Sequence, residues 1–173
     1  MVTALDRPLN IAHRGASTIA PQNTLAAFEE AVEAGADGIE FDVRLSADGV
    51  PVVIHDAGVD ATTDGSGQVS DLTVAELKEL DAGASFSPTF AGERIPTLEE
   101  VLEALGGALL LNIELKGMDL FNRGLERAVI RLVKEHGVEE HVLLSSFNPV
   151  ALRRVQQRAP GIPTALLYAY SPS

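Results

Sequence analysis

Apolar runs of strand length alternate with amphipathic helical segments along most of this chain. The pattern predicts six strands, at residues 9–12, 38–43, 50–55, 108–115, 142–146 and 164–168. Helix-start signals lie between these runs, and Thr73 with Glu76 and Thr97 with Glu100 match the capping-box pattern. Strands that alternate with helices form a mostly parallel α/β sheet, so this fold class is the first prediction.

Polar residues stand at the ends of several different predicted strands. Active sites of β/α barrels are built in this way, from the carboxyl ends of several strands. The pattern therefore favours a TIM-type β/α barrel, although an open doubly wound sheet fits the alternation as well. With 173 residues and 46% hydrophobic content, we expect one domain over residues 1–173.

Composition excludes several classes of function. The chain has 25 acidic and 13 Lys and Arg residues, so it lacks the basic surface that nucleic-acid binding needs. The absence of Cys excludes disulfides and thiolate metal sites. No apolar run has the length of a membrane span, and the N-terminus does not resemble a signal peptide. We predict no nucleic-acid partner, no integral membrane segment and a cytoplasmic location, although a removed export signal would leave the same trace.

The second predicted strand carries two acids in alternation. Glu40 and Asp42 point to one face of the strand, since alternate residues share a face. Asp48-Gly49 signals a two-residue hairpin turn. Counting back from that turn places His55 opposite Asp42, beside the two carboxylates. The alternative is a half-exposed strand whose acids face water.

The fourth predicted strand repeats this arrangement. Asn112, Glu114 and Lys116 share one face, and the strand is apolar enough to be buried. Buried charges are costly unless they are paired or bound to a metal. The alternative is a Glu114–Lys116 ion pair at a rim.

The first predicted strand ends in His13-Arg14-Gly15. A His and an Arg at this place suit a general acid or base and a phosphate clamp, although an ordinary polar loop would look the same. If Glu40, Asp42 and Glu114 converge, they raise one another's pKa unless a cation holds them. Oxygen ligands without thiolates favour Ca²⁺ or Mg²⁺. Together with the nearby cations and His residues, such a site suggests hydrolysis of a phosphate ester.

The sequence resembles the glycerophosphodiester phosphodiesterase family over essentially the whole chain. The family's motifs occur in order at residues 13–15, 21–25, 35–43, 48–49, 55–56, 62–65, 95–100, 113–116 and 145–147. The resemblance implies a TIM-type barrel that hydrolyses a small-molecule glycerophosphodiester to glycerol 3-phosphate and an alcohol. In the related phospholipase mechanism, a substrate hydroxyl attacks phosphorus first and water then opens the cyclic product.

The resemblance also assigns roles to individual residues. It implies that Glu40, Asp42 and Glu114 are the metal ligands. It makes His13 and His55 the acid/base pair. It places Arg14 and Lys116 near the phosphate.

The chain departs from the family pattern at three points. Gln22 replaces a Glu, and Ala61 replaces an Arg. Two further strands would follow residues 164–168 in the family, so we expect an incomplete barrel with about six of eight strands. Open edges at the first and last strands then predict a homo-oligomer.

Two alternatives to an active glycerophosphodiesterase remain. One is a phospholipase D-like toxin or a phosphoinositide-specific relative, for which this acidic chain offers no evident membrane contacts. The other is a catalytically weak or inactive fragment that needs oligomerisation or further C-terminal sequence.

Overall fold

The computed structural model describes residues 7–117 and 124–169. Within these ranges the strands are β1 (Ile11–His13), β2 (Gly38–Leu45), β3 (Pro51–Val53), β4 (Leu110–Leu115), β5 (Val142–Ser146) and β6 (Thr164–Leu166). The α-helices are α1 (Leu25–Glu33), α2 (Val74–Glu79), α3 (Leu98–Leu105), α4 (Leu125–Glu135) and α5 (Pro149–Arg158). None of these helices has the length and apolar character needed to traverse a lipid bilayer.

The sheet is parallel along its main path. Its order is β1-β2-β4-β5-β6, and β3 pairs antiparallel with β2 outside that path. The predicted α/β class and the six strands are confirmed. In the described ranges the sheet is an open segment of a β/α barrel with five parallel strands, because β3 belongs to a hairpin and not to the barrel wall.

Local signals in the sequence set the helix starts. Both predicted capping boxes form, since the side chains of Thr73 and Thr97 each accept the backbone N–H of the Glu three residues later. Asn148 caps α5 in the same way, with Pro149 at the first helical position. These caps satisfy backbone N–H groups that a helix leaves without partners, and thereby fix where each helix leaves the sheet.

The main core lies between one face of the sheet and the helices. Alternate residues of β2 and β4 are fully buried there, among them Ile39, Phe41 and Ile113. Phe41 contacts Phe28 of α1, with ring centroids 5.5 Å apart. Because strand residues alternate, the acids between these apolar side chains point to the opposite face of the sheet.

The hairpin between β2 and β3 differs from the prediction. Its loop has three residues, 47–49, because the Ser46 N–H donates to the Val50 carbonyl at 3.0 Å. Asp42 therefore lies opposite Ile54, whose N–H donates to the Asp42 carbonyl at 3.0 Å, and the predicted pairing of Asp42 with His55 is wrong by one residue. Three-residue hairpin loops end in a left-handed residue, and Gly49 has a φ of 80°.

Candidate active site

Three carboxylates from β2 and β4 meet on the face of the sheet opposite the main core. Glu40 and Asp42 alternate on β2, and Asp42 pairs in register with Glu114 of β4. One oxygen from each of the three side chains lies within 4.8 Å of the others, and all three residues are buried. The structure thus brings together the three acids that the sequence singles out.

Two cations accompany these acids. Lys116 Nζ lies 2.8 Å from Glu114 Oε1 and 3.1 Å from Asp42 Oδ1. Arg14 Nε lies 3.4 Å from Asp42 Oδ2, and the Arg14 backbone N–H donates to Glu40 Oε2 at 3.2 Å. Both predicted phosphate-binding residues therefore border the acidic cluster. Lys116 forms the ion pair with Glu114 that the alternative interpretation of this strand described, and it also reaches Asp42.

The protein does not fully compensate the negative charge of this cluster. Burial and the neighbouring charge of Asp42 raise the pKa of Glu40 from 4.5 to about 7. Asp42 Oδ1 is buried and makes no hydrogen bond among the described residues, so its contact with Lys116 is only an ion pair. A buried carboxylate oxygen without a hydrogen bond, beside two further carboxylates, fits a hard cation such as Ca²⁺ or Mg²⁺.

Asn23 positions the central carboxylate. Its side-chain N–H donates to Asp42 Oδ2 at 2.9 Å, and its Oδ1 accepts the Asp42 backbone N–H at 3.3 Å. Asn23 is buried and adopts a left-handed conformation, with φ of 59°. Reasoning from charge and spacing missed this residue, although it lies in one of the motifs on which the family resemblance rests.

Gln22 supports Arg14. Its Oε1 accepts a hydrogen bond from Arg14 Nη1 at 2.7 Å. The departure from Glu at this position therefore keeps the hydrogen bond and loses only the negative charge.

The two predicted acid/base residues lie at different places around the cluster. His13 ends β1, with its Nε2 3.7 Å from Glu40 Oε2 and its side chain 68% exposed. Burial of part of the ring, followed by the charge of Arg14, lowers the pKa of His13. His55 follows β3, and its Nδ1 lies 2.8 Å from Asp56 Oδ1. That contact orients the imidazole ring. Because an ionised carboxylate only accepts hydrogen bonds, the ring nitrogen would be the donor.

Arg44 is a further charged residue that the sequence analysis overlooked. It continues the alternation of Glu40 and Asp42 on β2, which is the signal that could have identified it. Its Nε donates to the His55 carbonyl at 2.8 Å. Burial lowers the pKa of Arg44, opposed by the charges of Asp42 and other acids.

Known proteins resemble this chain in sequence and in fold. The profile described as the Glycerophosphoryl diester phosphodiesterase family matches residues 13–173. The chain is 52% identical over 163 residues to a glycerophosphodiester phosphodiesterase of Caldanaerobacter subterraneus subsp. tengcongensis, covering 94% of this chain and 67% of the relative. It is 38% identical over 176 residues to a glycerophosphodiester phosphodiesterase of Bacillus subtilis, covering 94% of this chain and 60% of the relative.

Solved structures show the same fold. A glycerophosphodiester phosphodiesterase from Agrobacterium tumefaciens aligns with a TM-score of 0.84 at 39% identity, covering 91% of this chain and 66% of that one. An Oleispira antarctica phosphodiesterase in complex with the product sn-glycerol-3-phosphate aligns with a TM-score of 0.84 at 40% identity. The alignment covers 96% of this chain and 68% of that one. The chain spans about two thirds of the length of most of these proteins.

Proposed function

This chain belongs to the glycerophosphoryl diester phosphodiesterase family, and we propose that it hydrolyses glycerophosphodiesters to glycerol 3-phosphate and an alcohol. The observation that carries the proposal is the buried cluster of Glu40, Asp42 and Glu114, with Arg14 and Lys116 beside it. The product bound to the Oleispira antarctica phosphodiesterase supports the choice of substrate.

We assign the metal to the three carboxylates. Glu40, Asp42 and Glu114 would hold Ca²⁺ or Mg²⁺, because the site offers only oxygen ligands and leaves Asp42 Oδ1 without a hydrogen bond. When bound, the cation would neutralise these acids and polarise a phosphoryl oxygen of the substrate.

Arg14 and Lys116 would bind the phosphate. Both side chains already lie within 3.4 Å of Asp42, so a phosphate that approaches the cluster meets both of them. The Arg14 guanidinium is fixed by its hydrogen bond to Gln22 and presents further N–H groups in a rigid plane. Preorganised donors of this kind stabilise charge that develops on the phosphoryl oxygens.

His13 and His55 would move the protons. By analogy with the related phospholipase mechanism, one imidazole accepts the proton of the substrate hydroxyl whose oxygen attacks phosphorus. The other imidazole donates a proton to the oxygen of the departing alcohol, and water then opens the cyclic phosphate. Asp56 holds the ring of His55 in one orientation for this task.

One assay tests the proposal directly. Release of glycerol 3-phosphate from glycerophosphocholine is measured with and without added Ca²⁺ or Mg²⁺. Glu40→Gln and Glu114→Gln should abolish metal binding in calorimetry, whereas Glu33→Gln on the exposed face of α1 should not. Unchanged metal affinity in both site variants would contradict the assignment.

Other predictions from the sequence stay proposals. In the described ranges, β1 and β6 each pair with one neighbouring strand, and Leu166 and Tyr168 are 57% and 83% exposed. These features support association of two copies through the strand edges. The alternative of a catalytically weak or inactive chain that needs oligomerisation depends on the same association. Sedimentation at micromolar concentration would measure this association. One domain over residues 1–173 and a cytoplasmic location are likewise still predictions.

A further inference from the structure

A second group of metal-ligating side chains lies on the outer surface, between α3 and α4. It consists of Glu99 and Glu103 of α3 and of His136, the C-terminal cap of α4. One ligand atom from each of these side chains lies within 4.8 Å of the others. The two Glu residues are exposed and His136 is half-buried, so an ion from solvent can reach all three.

Close packing fixes the position of α3 relative to the end of α4. Leu102 and Leu105 of α3 and Val133 of α4 are buried in the same core cluster. At Gly106, which ends α3, an added Cβ would lie 3.1 Å from Val138 Cγ1, just beyond α4. The ligands are therefore carried by elements that the core holds together, as a preorganised site requires.

The imidazole of His136 has one nitrogen engaged and the other available. Its Nδ1 lies 2.9 Å from the Leu132 carbonyl oxygen. A carbonyl only accepts hydrogen bonds, so Nδ1 carries the proton and Nε2 of the neutral ring presents its lone pair. Metal-binding histidines are commonly held in this way, because a carbonyl on the second nitrogen fixes the tautomer and the ring orientation.

The two carboxylates beside this imidazole are not balanced by a cation. Glu99 and Glu103 stand four residues apart on α3, a spacing at which like charges destabilise a helix. Neither forms an ion pair within the described ranges, with Lys134 of α4 or any other residue, whereas Glu100 pairs with Lys78. The carbonyl ends of α3 and α4 add partial negative charge. A bound cation would neutralise this excess.

The donor set indicates which cation. One imidazole nitrogen and two carboxylate oxygens suit Zn²⁺, whereas Ca²⁺ and Mg²⁺ prefer oxygen ligands alone. With a water molecule, three protein ligands complete the tetrahedral shell of Zn²⁺, in which bonds of about 2.1 Å place neighbouring ligand atoms about 3.4 Å apart. Small rotations of the exposed Glu side chains would bring the atoms from their present positions to this spacing.

We propose that Glu99, Glu103 and His136 bind Zn²⁺ and that the ion links α3 to α4. The site is separate from the proposed reaction, because the helices cover the face of the sheet opposite to the cluster of Glu40, Asp42 and Glu114. This remote position fits a stabilising role. An ion that binds only the folded chain raises the free energy of unfolding.

Calorimetric titration of the whole chain with Zn²⁺ tests the proposal. Millimolar Mg²⁺ is present throughout, since it competes for the oxygen ligands of the candidate active site and has little affinity for imidazole. His136→Ala and Glu103→Gln should each weaken Zn²⁺ binding more than about tenfold, because even the loss of a residue that only orients a ligand costs about 10- to 100-fold. The matched controls His141→Ala and Glu33→Gln, at exposed positions outside the cluster, should bind Zn²⁺ as the wild type does.

A second measurement asks whether the ion stabilises the fold. Zn²⁺ should raise the urea midpoint of the wild type and of both controls, but not that of the two cluster variants. Glu103→Gln keeps the size of an exposed side chain, so it decides the question even if His136→Ala, which also loses the hydrogen bond to Leu132, folds poorly. Wild-type affinity in Glu103→Gln, or binding by the wild type only at millimolar Zn²⁺, would overturn the proposal.

Discussion

The raised pKa of Glu40 makes the stability of the metal-free protein depend on pH. In the folded chain this pKa is about 7, against an ordinary value of 4.5, because the side chain is buried beside Asp42. The folded state therefore holds a proton on Glu40 that the unfolded chain has already released. Stability from this group is fully present below about pH 4.5 and is lost as pH rises through about 7.

The size of the effect follows from the two pKa values. Each unit of difference corresponds to about 1.4 kcal/mol, so the group contributes at most about 3 kcal/mol at low pH. Between about pH 5 and pH 8 the expected loss is about 2.5 kcal/mol, because part of the unfolded population is already ionised at the lower limit. This loss is a large fraction of the stability of a typical domain.

Glu40→Gln isolates this contribution. The glutamine has nearly the same size but does not ionise, so its variant should lack the decline. Titrating groups that do not contact Glu40 are present in both proteins and cancel in the comparison. The free energy of unfolding is measured by urea denaturation with circular dichroism, since the chain has no Trp for fluorescence.

Measurements of stability with a chelator and with saturating metal provide the control. With a chelator, the stability of the wild-type protein relative to Glu40→Gln should fall by about 2.5 kcal/mol from pH 5 to pH 8. With saturating Ca²⁺ or Mg²⁺ the fall should disappear, because the cation replaces the proton. Parallel curves for the two proteins across this range would refute the reasoning.

Three further predictions concern other residues. His55→Ala should lower turnover about 10²- to 10⁴-fold, as expected for a general acid or base, whereas exposed His141→Ala should leave turnover unchanged in the same steady-state assay. Lys116→Met should raise KM for the diester without weakening Ca²⁺ binding in calorimetry, because the side chain is proposed to contact phosphate and not metal. Gly15→Ala should lower the urea midpoint more than Gly35→Ala. Both residues have positive φ, but only at Gly15 would the new Cβ meet backbone, at 2.7 Å from the Ala27 carbonyl oxygen.

Structural features that depend on residues close together in the sequence were predictable. The capping boxes at Thr73 and Thr97 depend on residues three positions apart, and both form. The alternation on β2 and β4 was predictable for the same reason, since the side-chain direction in a strand repeats every two residues. Parallel pairing then places Asp42 beside Glu114 in register.

Contacts that depend on loops were not predictable in this way. Ser46 extends the predicted hairpin turn by one residue, since its hydroxyl accepts the Val50 N–H at 2.9 Å. That extra residue shifts the register and removes His55 from its predicted place opposite Asp42. Asn23 reaches Asp42 from the loop before α1 with a left-handed backbone, a conformation that residue spacing does not indicate.

The balance of charge explains why the site would pair a divalent cation with a phosphodiester. Glu40, Asp42 and Glu114 carry three negative charges when ionised, and the two cations in ion-pair contact with them, Arg14 and Lys116, return two positive ones. Without metal, one negative charge is left uncompensated, and the raised pKa of Glu40 is the protein's response. A divalent cation reverses the sign and leaves one positive charge, which matches the single negative charge of a phosphodiester.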